Sequence, residues 1–197
     1  MGRPGATDVC GIVGQVGGHD AQDVVETVVR RQLALLHHRG PDDTGYVVEP
    51  EFALGHARLS IIDPELGHQP IASSDGSVVI TFNGEIYNYV ELRDELSRAG
   101  HAFRTTSDTE VLVAGYRQWG VDVLDRIEGM FAFALWDKRT RTLFCARDPY
   151  GQKPFFYHVA AGRFAFSSEC RTFRELAGFD AAVDPAAGRC RPSGRSG

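Results

Sequence analysis

Cysteine is scarce in this 197-residue sequence. There are four, at positions 10, 145, 170 and 190, and no two form a C-x-x-C pair. That spacing excludes a zinc ribbon and a dithiol redox site. The first nine residues, MGRPGATDV, contain no hydrophobic segment and so do not form a secretory signal. Reduced thiols in a cytoplasmic protein are therefore expected. No apolar run approaches the length that crosses a bilayer, which argues against a membrane partner. Positive charge is not in excess either: 21 Lys and Arg against 26 Asp and Glu leave a net charge of −5. Such a balance disfavours a general nucleic-acid binder. What remains is a soluble globular composition, 43% hydrophobic and 24% charged, on a chain long enough for one domain with a real core. Cys145 and Cys170 read as core or structural residues.

The remaining feature of note near the chain start is Cys10-Gly11-Ile12-Val13-Gly14, a cysteine leading a short glycine-bounded apolar run. The run reads as a first buried strand, with glycines that permit close backbone approach around the sulfur. A thiol here is either a small buried hydrophobe or a nucleophile. As a nucleophile it could use its own α-amine as base, if the residues before it are absent in the mature chain. Residues 1–9 are expected to be such a leader. Translation from a GTG codon at Val9, a propeptide cleaved after Val9, or an added segment would each account for it.

Apolar residues Val25, Val28, Val29, Leu33 and Leu36 space as a helix over 23–38, stopped by Gly40-Pro41. His37 and His38 fall in its last turn, where they are either metal ligands or simple helix-end histidines. Strands are expected at 45–48, 52–62 and 78–82. Arg58 lies inside the second and either snorkels to solvent or holds an anion. The third ends in Asn83-Gly84, which is either a hairpin turn or a strand-to-helix junction. A junction would gather an amide side chain and free backbone N–H groups, the parts of an oxyanion hole. Tyr89, Leu92 and Leu96 continue as a helix closed by Gly100. Ser107-Asp108-Thr109-Glu110 has the capping-box pattern ahead of a helix through Trp119, so Asp108 is either a structural first-turn residue, a sufficient role, or a ligand-binding one. Strands 130–136 and 142–146 form a hairpin, 147–154 a polar loop, and 155–157 with 163–167 a second hairpin. A last helix is expected over 168–177. Residues 186–197 are basic, low in complexity and without periodicity, and are expected to be a disordered or truncated tail.

Seven motifs in order carry a resemblance. They are CGIVG at 10–14, HRGPDDTG at 38–45, ARLSIID at 57–63, NGEIYN at 83–88, SDTE at 107–110, GMFAFALWD at 129–137 and RDPYGQKPFFY at 147–157. Together they resemble the class II glutamine amidotransferase domains, members of the N-terminal nucleophile hydrolases. The wording RGPD, RLSIID, GEIYNY and RDPYGQKP is most similar to the glutaminase half of glutamine-hydrolysing asparagine synthetases. The likeness covers about residues 10–180, and the domain is placed at 10–185.

The resemblance implies an α+β fold, a four-layer α/β/β/α sandwich of two antiparallel sheets. It implies Cys10 as nucleophile, with Asn83 (side chain) and Gly84 (backbone N–H) stabilising the oxyanion. Arg58 would grip the α-carboxylate of glutamine and Asp108 its α-ammonium, while Glu85 and the Ile61-Ile62 backbone would line the pocket. Glutamine would be hydrolysed through a Cys10 thioester without metal or organic cofactor. ATP and Mg would serve only a synthetase half, which this sequence lacks: it has neither a Walker loop nor a Ser-Gly-Gly-x-Asp-Ser loop. A synthetase domain or subunit is the implied partner, with no nucleic acid and no membrane. Two other readings follow from the same departures: a catalytically silent fragment, or an ammonia-supplying subunit for a separate synthetase. An unrelated cysteine hydrolase would need a histidine partner, and no motif supplies one.

Overall fold

The computed structural model describes residues 10–59 and 68–180. Strands β1 (Gly11–Gly17), β2 (Asp43–Glu49), β3 (Phe52–Arg58), β8 (Phe156–Ala160) and β9 (Arg163–Ser167) form one sheet, in the order β2-β3-β1-β9-β8. Strands β4 (Ile71–Ala72), β5 (Val78–Ile86), β6 (Gly129–Asp137) and β7 (Thr142–Arg147) form a second, in chain order. The pairings in both sheets are antiparallel.

Alternation of side chains assigns the layers. On β6, Phe131, Phe133 and Leu135 face helices α2 (Tyr89–Arg98) and α3 (Asp108–Trp119), together with Val78, Ile80 and Phe82 of β5. Ala132, Ala134 and Trp136 face the other sheet and pack with Ile12, Phe52, Leu54 and Phe166. Burial on both faces is why residues 130–136 read as one unbroken apolar run. Between the sheets Phe52 stacks on Trp136, ring centroids 5.3 Å apart. Helix α1 (Gln22–Leu36) covers the outer face of the first sheet through Val29, Leu33 and Leu36 against Val13, Ala53 and Ala57. The result is the α/β/β/α sandwich expected. Thr81 Oγ1 donates to Gly55 O at 3.1 Å, tying the sheets together beside the site.

Several expectations are corrected. The strand read as 78–82 runs on through Asn83-Gly84 to Ile86, because each of these residues has a partner on β6 (Asn83 with Ala132, Gly84 with Phe131). Asn83-Gly84 is therefore neither a hairpin turn nor a junction. The helix read over 168–177 is a 3₁₀ segment, Cys170–Glu175, preceded by an extended Glu169. Ser168 is held to β1 instead: its Oγ accepts from Ile12 N and its N–H donates to Ile12 O, both at 2.9 Å. Cys170 is exposed and not a core residue. Cys145 is half-buried, and burial pushes its thiol up to about 12. The short strand β4 and a 3₁₀ segment at Gly120–Asp125 had no counterpart in the periodicity. The expectations for residues 1–9, 186–197 and the last part of strand 52–62 lie outside the described residues.

Candidate active site

Cys10 stands at the head of β1, whose first ladder pair, Gly11 with Ala57, sets it beside the end of β3. Its sulfur lies between the backbone groups of Leu59: the N–H donates to Sγ at 3.3 Å, and Sγ lies 3.6 Å from the carbonyl oxygen. Behind it Arg39 Nε donates to Cys10 O at 3.1 Å, and Glu169 holds the same guanidinium at 3.4 Å. Gly40 allows this approach, since a Cβ there would meet Ala57 O at 2.3 Å. Burial raises the thiol above its ordinary value. The Leu59 N–H and the charges of Arg58, Lys153 and Arg39 pull the other way without overcoming it. Cys10 therefore holds its proton at neutral pH and needs a base before it can attack.

A cavity opens from this sulfur, lined by Cys10, His56, Arg58, Gln69, Gly84, Glu85 and Asp108 among others. Arg58 and Asp108 are both buried. Asp108 Oδ2 accepts from Ile86 N at 3.0 Å. Burial raises its pKa, the Ile86 and Thr109 N–H bonds and the Thr109 hydroxyl lower it, and the Glu85 charge raises it. One guanidinium and two carboxylates around a single cavity suit a zwitterion, whose carboxylate and ammonium each find an opposite charge.

The open edge of β5 supplies the second half of the site. Backbone groups of alternate residues point to the same side of a strand. Phe82 N–H donates to Gln69 Oε1 at 2.7 Å and Ile86 N–H to Asp108 Oδ2, so both point away from β6. Gly84, midway between them, must present its N–H along that same edge, into the cavity it lines. A Cβ at Gly84 would meet Met130 O at 2.2 Å, which explains a glycine at this point. Asn83 is 1% exposed, and its Nδ2 has no hydrogen-bond partner among the described residues. An orphaned buried donor is costly unless something in the site uses it. Asn83 Nδ2 and Gly84 N–H are adjacent donors suited to an oxyanion.

Of the residues singled out from sequence, Cys10, Arg58, Gly84, Glu85 and Asp108 line one cavity, with Asn83 between two lining residues. Ile61 and Ile62 lie outside the described residues. The capping box is not formed as read. Ser107 Oγ does cap, accepting from Thr109 N at 3.1 Å. Glu110 reaches past Ser107 to accept from Arg104 N and Thr105 N at 3.0 and 2.7 Å. His38 is spent on Glu169 at 2.8 Å, the helix-end reading, and among the described residues no group of three His, Cys, Asp or Glu could hold a metal. No helix among them is long and apolar enough to cross a membrane.

Sequence reasoning missed three residues. His56 sits two positions before Arg58 on the same strand face, a period-2 relation that could have flagged it. Gln69 uses its amide as a surrogate strand, donating to Phe82 O at 3.1 Å as well as accepting from Phe82 N. Lys153 is buried at the end of the 147–154 loop and favours the Cys10 thiolate. Neither of the last two leaves a periodic signal.

A half-buried thiol, two neighbouring donors at Asn83 and Gly84, and a cavity bearing one guanidinium and two carboxylates thus meet between two stacked antiparallel sheets. A family model described as glutamine amidotransferase domain matches residues 9–189. An asparagine synthetase (glutamine-hydrolysing) 1 of Bacillus subtilis is 43% identical over 163 residues, 82% of this chain and 26% of the relative. Asparagine synthetase (glutamine-hydrolysing) 3 of the same organism is 40% identical over 178 residues, 89% of this chain and 29% of the relative. The solved glutamine phosphoribosylpyrophosphate amidotransferase of B. subtilis, complexed with ADP and GMP, superimposes with a TM-score of 0.68 at 23% identity. It covers 84% of this chain and 43% of its own, and supports the fold. The chain belongs to the glutamine amidotransferase domain family. It spans about a quarter of the length of the curated relatives it matches.

Proposed function

We propose that this domain hydrolyses glutamine to glutamate and ammonia through Cys10. The observation that carries the reading is the convergence of the Cys10 thiol, the buried Arg58 and Asp108, and Gly84 on one cavity, with Asn83, whose buried Nδ2 has no partner among the described residues, between two residues of its lining. Arg58 receives the α-carboxylate and Asp108 the α-ammonium, which aims the side-chain amide at Sγ. The sulfur attacks the amide carbon, and the α-amine of Cys10, freed by removal of residues 1–9, takes the thiol proton. Asn83 Nδ2 and Gly84 N–H hold the oxyanion. As the tetrahedral intermediate collapses, the C–N bond breaks, the proton passes to the leaving nitrogen, and ammonia departs. Water then cleaves the glutamyl thioester and restores the thiol. The sequence of steps is complete without metal or organic cofactor.

The identity of the relatives as asparagine synthetases, and the fraction of their length that this chain spans, support a place as the ammonia-supplying part of an asparagine synthetase. ATP and Mg would then be used by the synthetase half. A reducing, cytoplasmic setting fits a nucleophile that must stay a free thiol. N-terminal sequencing of the natively expressed protein, with glutamate release assayed on the same sample, is the test. A chain beginning at Cys10 that releases glutamate supports the reading. An active chain that retains residues 1–9 overturns the α-amine as base, and a Cys10-first chain that releases no glutamate overturns the function.

A further inference from the structure

Three buried side-chain polar atoms have no hydrogen-bond partner among the described residues: His56 Nδ1, Asn83 Nδ2 and Arg163 Nε. Arg163 lies on β9, away from the cavity. The other two belong to the site and are chemically opposite. His56 is 1% exposed and is one of the residues lining the cavity. Its Nε2 lies 3.0 Å from Phe82 O, which can only accept, so Nε2 carries the proton. Burial, aided by the nearby Arg58 charge and opposed by the Phe82 contact and Asp43, holds the imidazole pKa down to about 4. The ring is thus neutral at physiological pH, and Nδ1 presents a bare lone pair. Asn83 directly follows Phe82, the β5 residue whose carbonyl His56 contacts.

A single group that satisfies both atoms must accept one hydrogen bond and donate another. A primary carboxamide does this, with C=O toward Asn83 and N–H toward His56. A carboxylate cannot, because it has no proton for Nδ1. We propose that His56 is the specificity-determining residue for the substrate carboxamide, accepting a hydrogen bond from its NH₂ group at Nδ1. The inference deepens the glutaminase reading and rests on it. It also explains how the site releases its product: glutamate brings no proton for Nδ1 and sets a carboxylate against a lone pair.

The test measures binding of L-glutamine and of L-glutamate to the Cys10→Ala chain, which binds without turnover. His56→Gln in that background keeps a donor at the Nε2 position for Phe82 O and removes the acceptor at Nδ1. The expected result is a fall of about 10-fold or more in the preference for glutamine over glutamate, carried by weaker glutamine binding. His56→Asn, whose side-chain oxygen stands near the Nδ1 position, is expected to retain part of the preference. In the Cys10→Ala chain labelled with [15N]histidine, glutamine should shift the Nδ1 resonance of His56 and glutamate should not, a readout that does not depend on a second substitution. A preference unchanged in a folded His56→Gln chain, or an Nδ1 resonance indifferent to glutamine, overturns the role of His56 and leaves the glutaminase reading standing. Failure of the Cys10→Ala chain itself to bind glutamine overturns both.

Discussion

Asn83 shows how one side chain divides its value between stability and function. Its Nδ2 is buried with no partner among the described residues, a state that costs free energy in the resting fold and that the oxyanion of the proposed mechanism would relieve. Asn83→Ala is expected to lower glutamine turnover about 100-fold. KM should change little, because the donor is needed most once charge develops. Steady-state glutamate release checks this, and unchanged turnover would remove Asn83 from the oxyanion site. His56 makes a separate prediction for pH. Its folded pKa of about 4 lies below the ordinary 6.5, so the unfolded chain takes up the proton first as pH falls. The group's contribution is complete above pH 6.5 and is lost between 6.5 and 4, by about 3 kcal/mol in all. Urea unfolding should show the wild type losing that much more than His56→Gln over the window. Parallel stability curves would mean that the imidazole is not held neutral.

The loop from Arg147 to Pro154 is organised by one carboxylate at the scale of the element. Asp148 accepts from Phe131 N (3.3 Å), Tyr150 N (3.1 Å), Gln152 N (2.9 Å) and Lys153 N (3.1 Å). Burial alone would raise its pKa, but these N–H groups outweigh it and hold the carboxyl below its usual value. Arg147 closes the other side, donating from Nε to Lys153 O and from Nη2 to Gly151 O. Both backbone polar groups of Lys153 are therefore fixed, and its ammonium is held where it favours the Cys10 thiolate. Asp148→Ala would strip the acceptor from four N–H groups and is expected to cost about 2–4 kcal/mol. Cleavage within 149–152 should become faster in limited proteolysis. A variant as stable and as resistant as wild type would show that the loop holds its shape without the carboxylate.

For the whole molecule, the site is a joint between the two sheets. Cys10, His56 and Arg58 come from the β1–β3 side, Asn83 and Gly84 from β5, and Asp108 from the start of α3. A ligand that touches all three binds only the assembled sandwich. Glutamine at 100 times its Kd should stabilise the Cys10→Ala chain by about 2.7 kcal/mol. In a domain of this size that is a rise in Tm of about 5–10 °C. Calorimetry with saturating glutamine makes the measurement, and no shift would mean that the cavity does not close on the amino acid.

Local chemistry and motif text were enough to single out Cys10, Arg58 and Asp108, because each lies in a short run whose character is set by its own neighbours. The strand 130–136 was legible for the same reason: two buried faces require an apolar residue at every position. Ser168 to Ala177 misled, because the contacts of Ser168 with Ile12 come from 156 residues away and override local helical preference. Asn83-Gly84 misled in the same way, since its turn propensity yields to pairing with Phe131 and Ala132. Tertiary structure alone decided that His56 is neutral and lacks a partner at Nδ1 among the described residues, that Gln69 completes an open strand edge, and that the Lys153 charge favours the Cys10 thiolate. Those properties arise from burial and from groups distant in sequence, and neither leaves a period that a linear reading can follow.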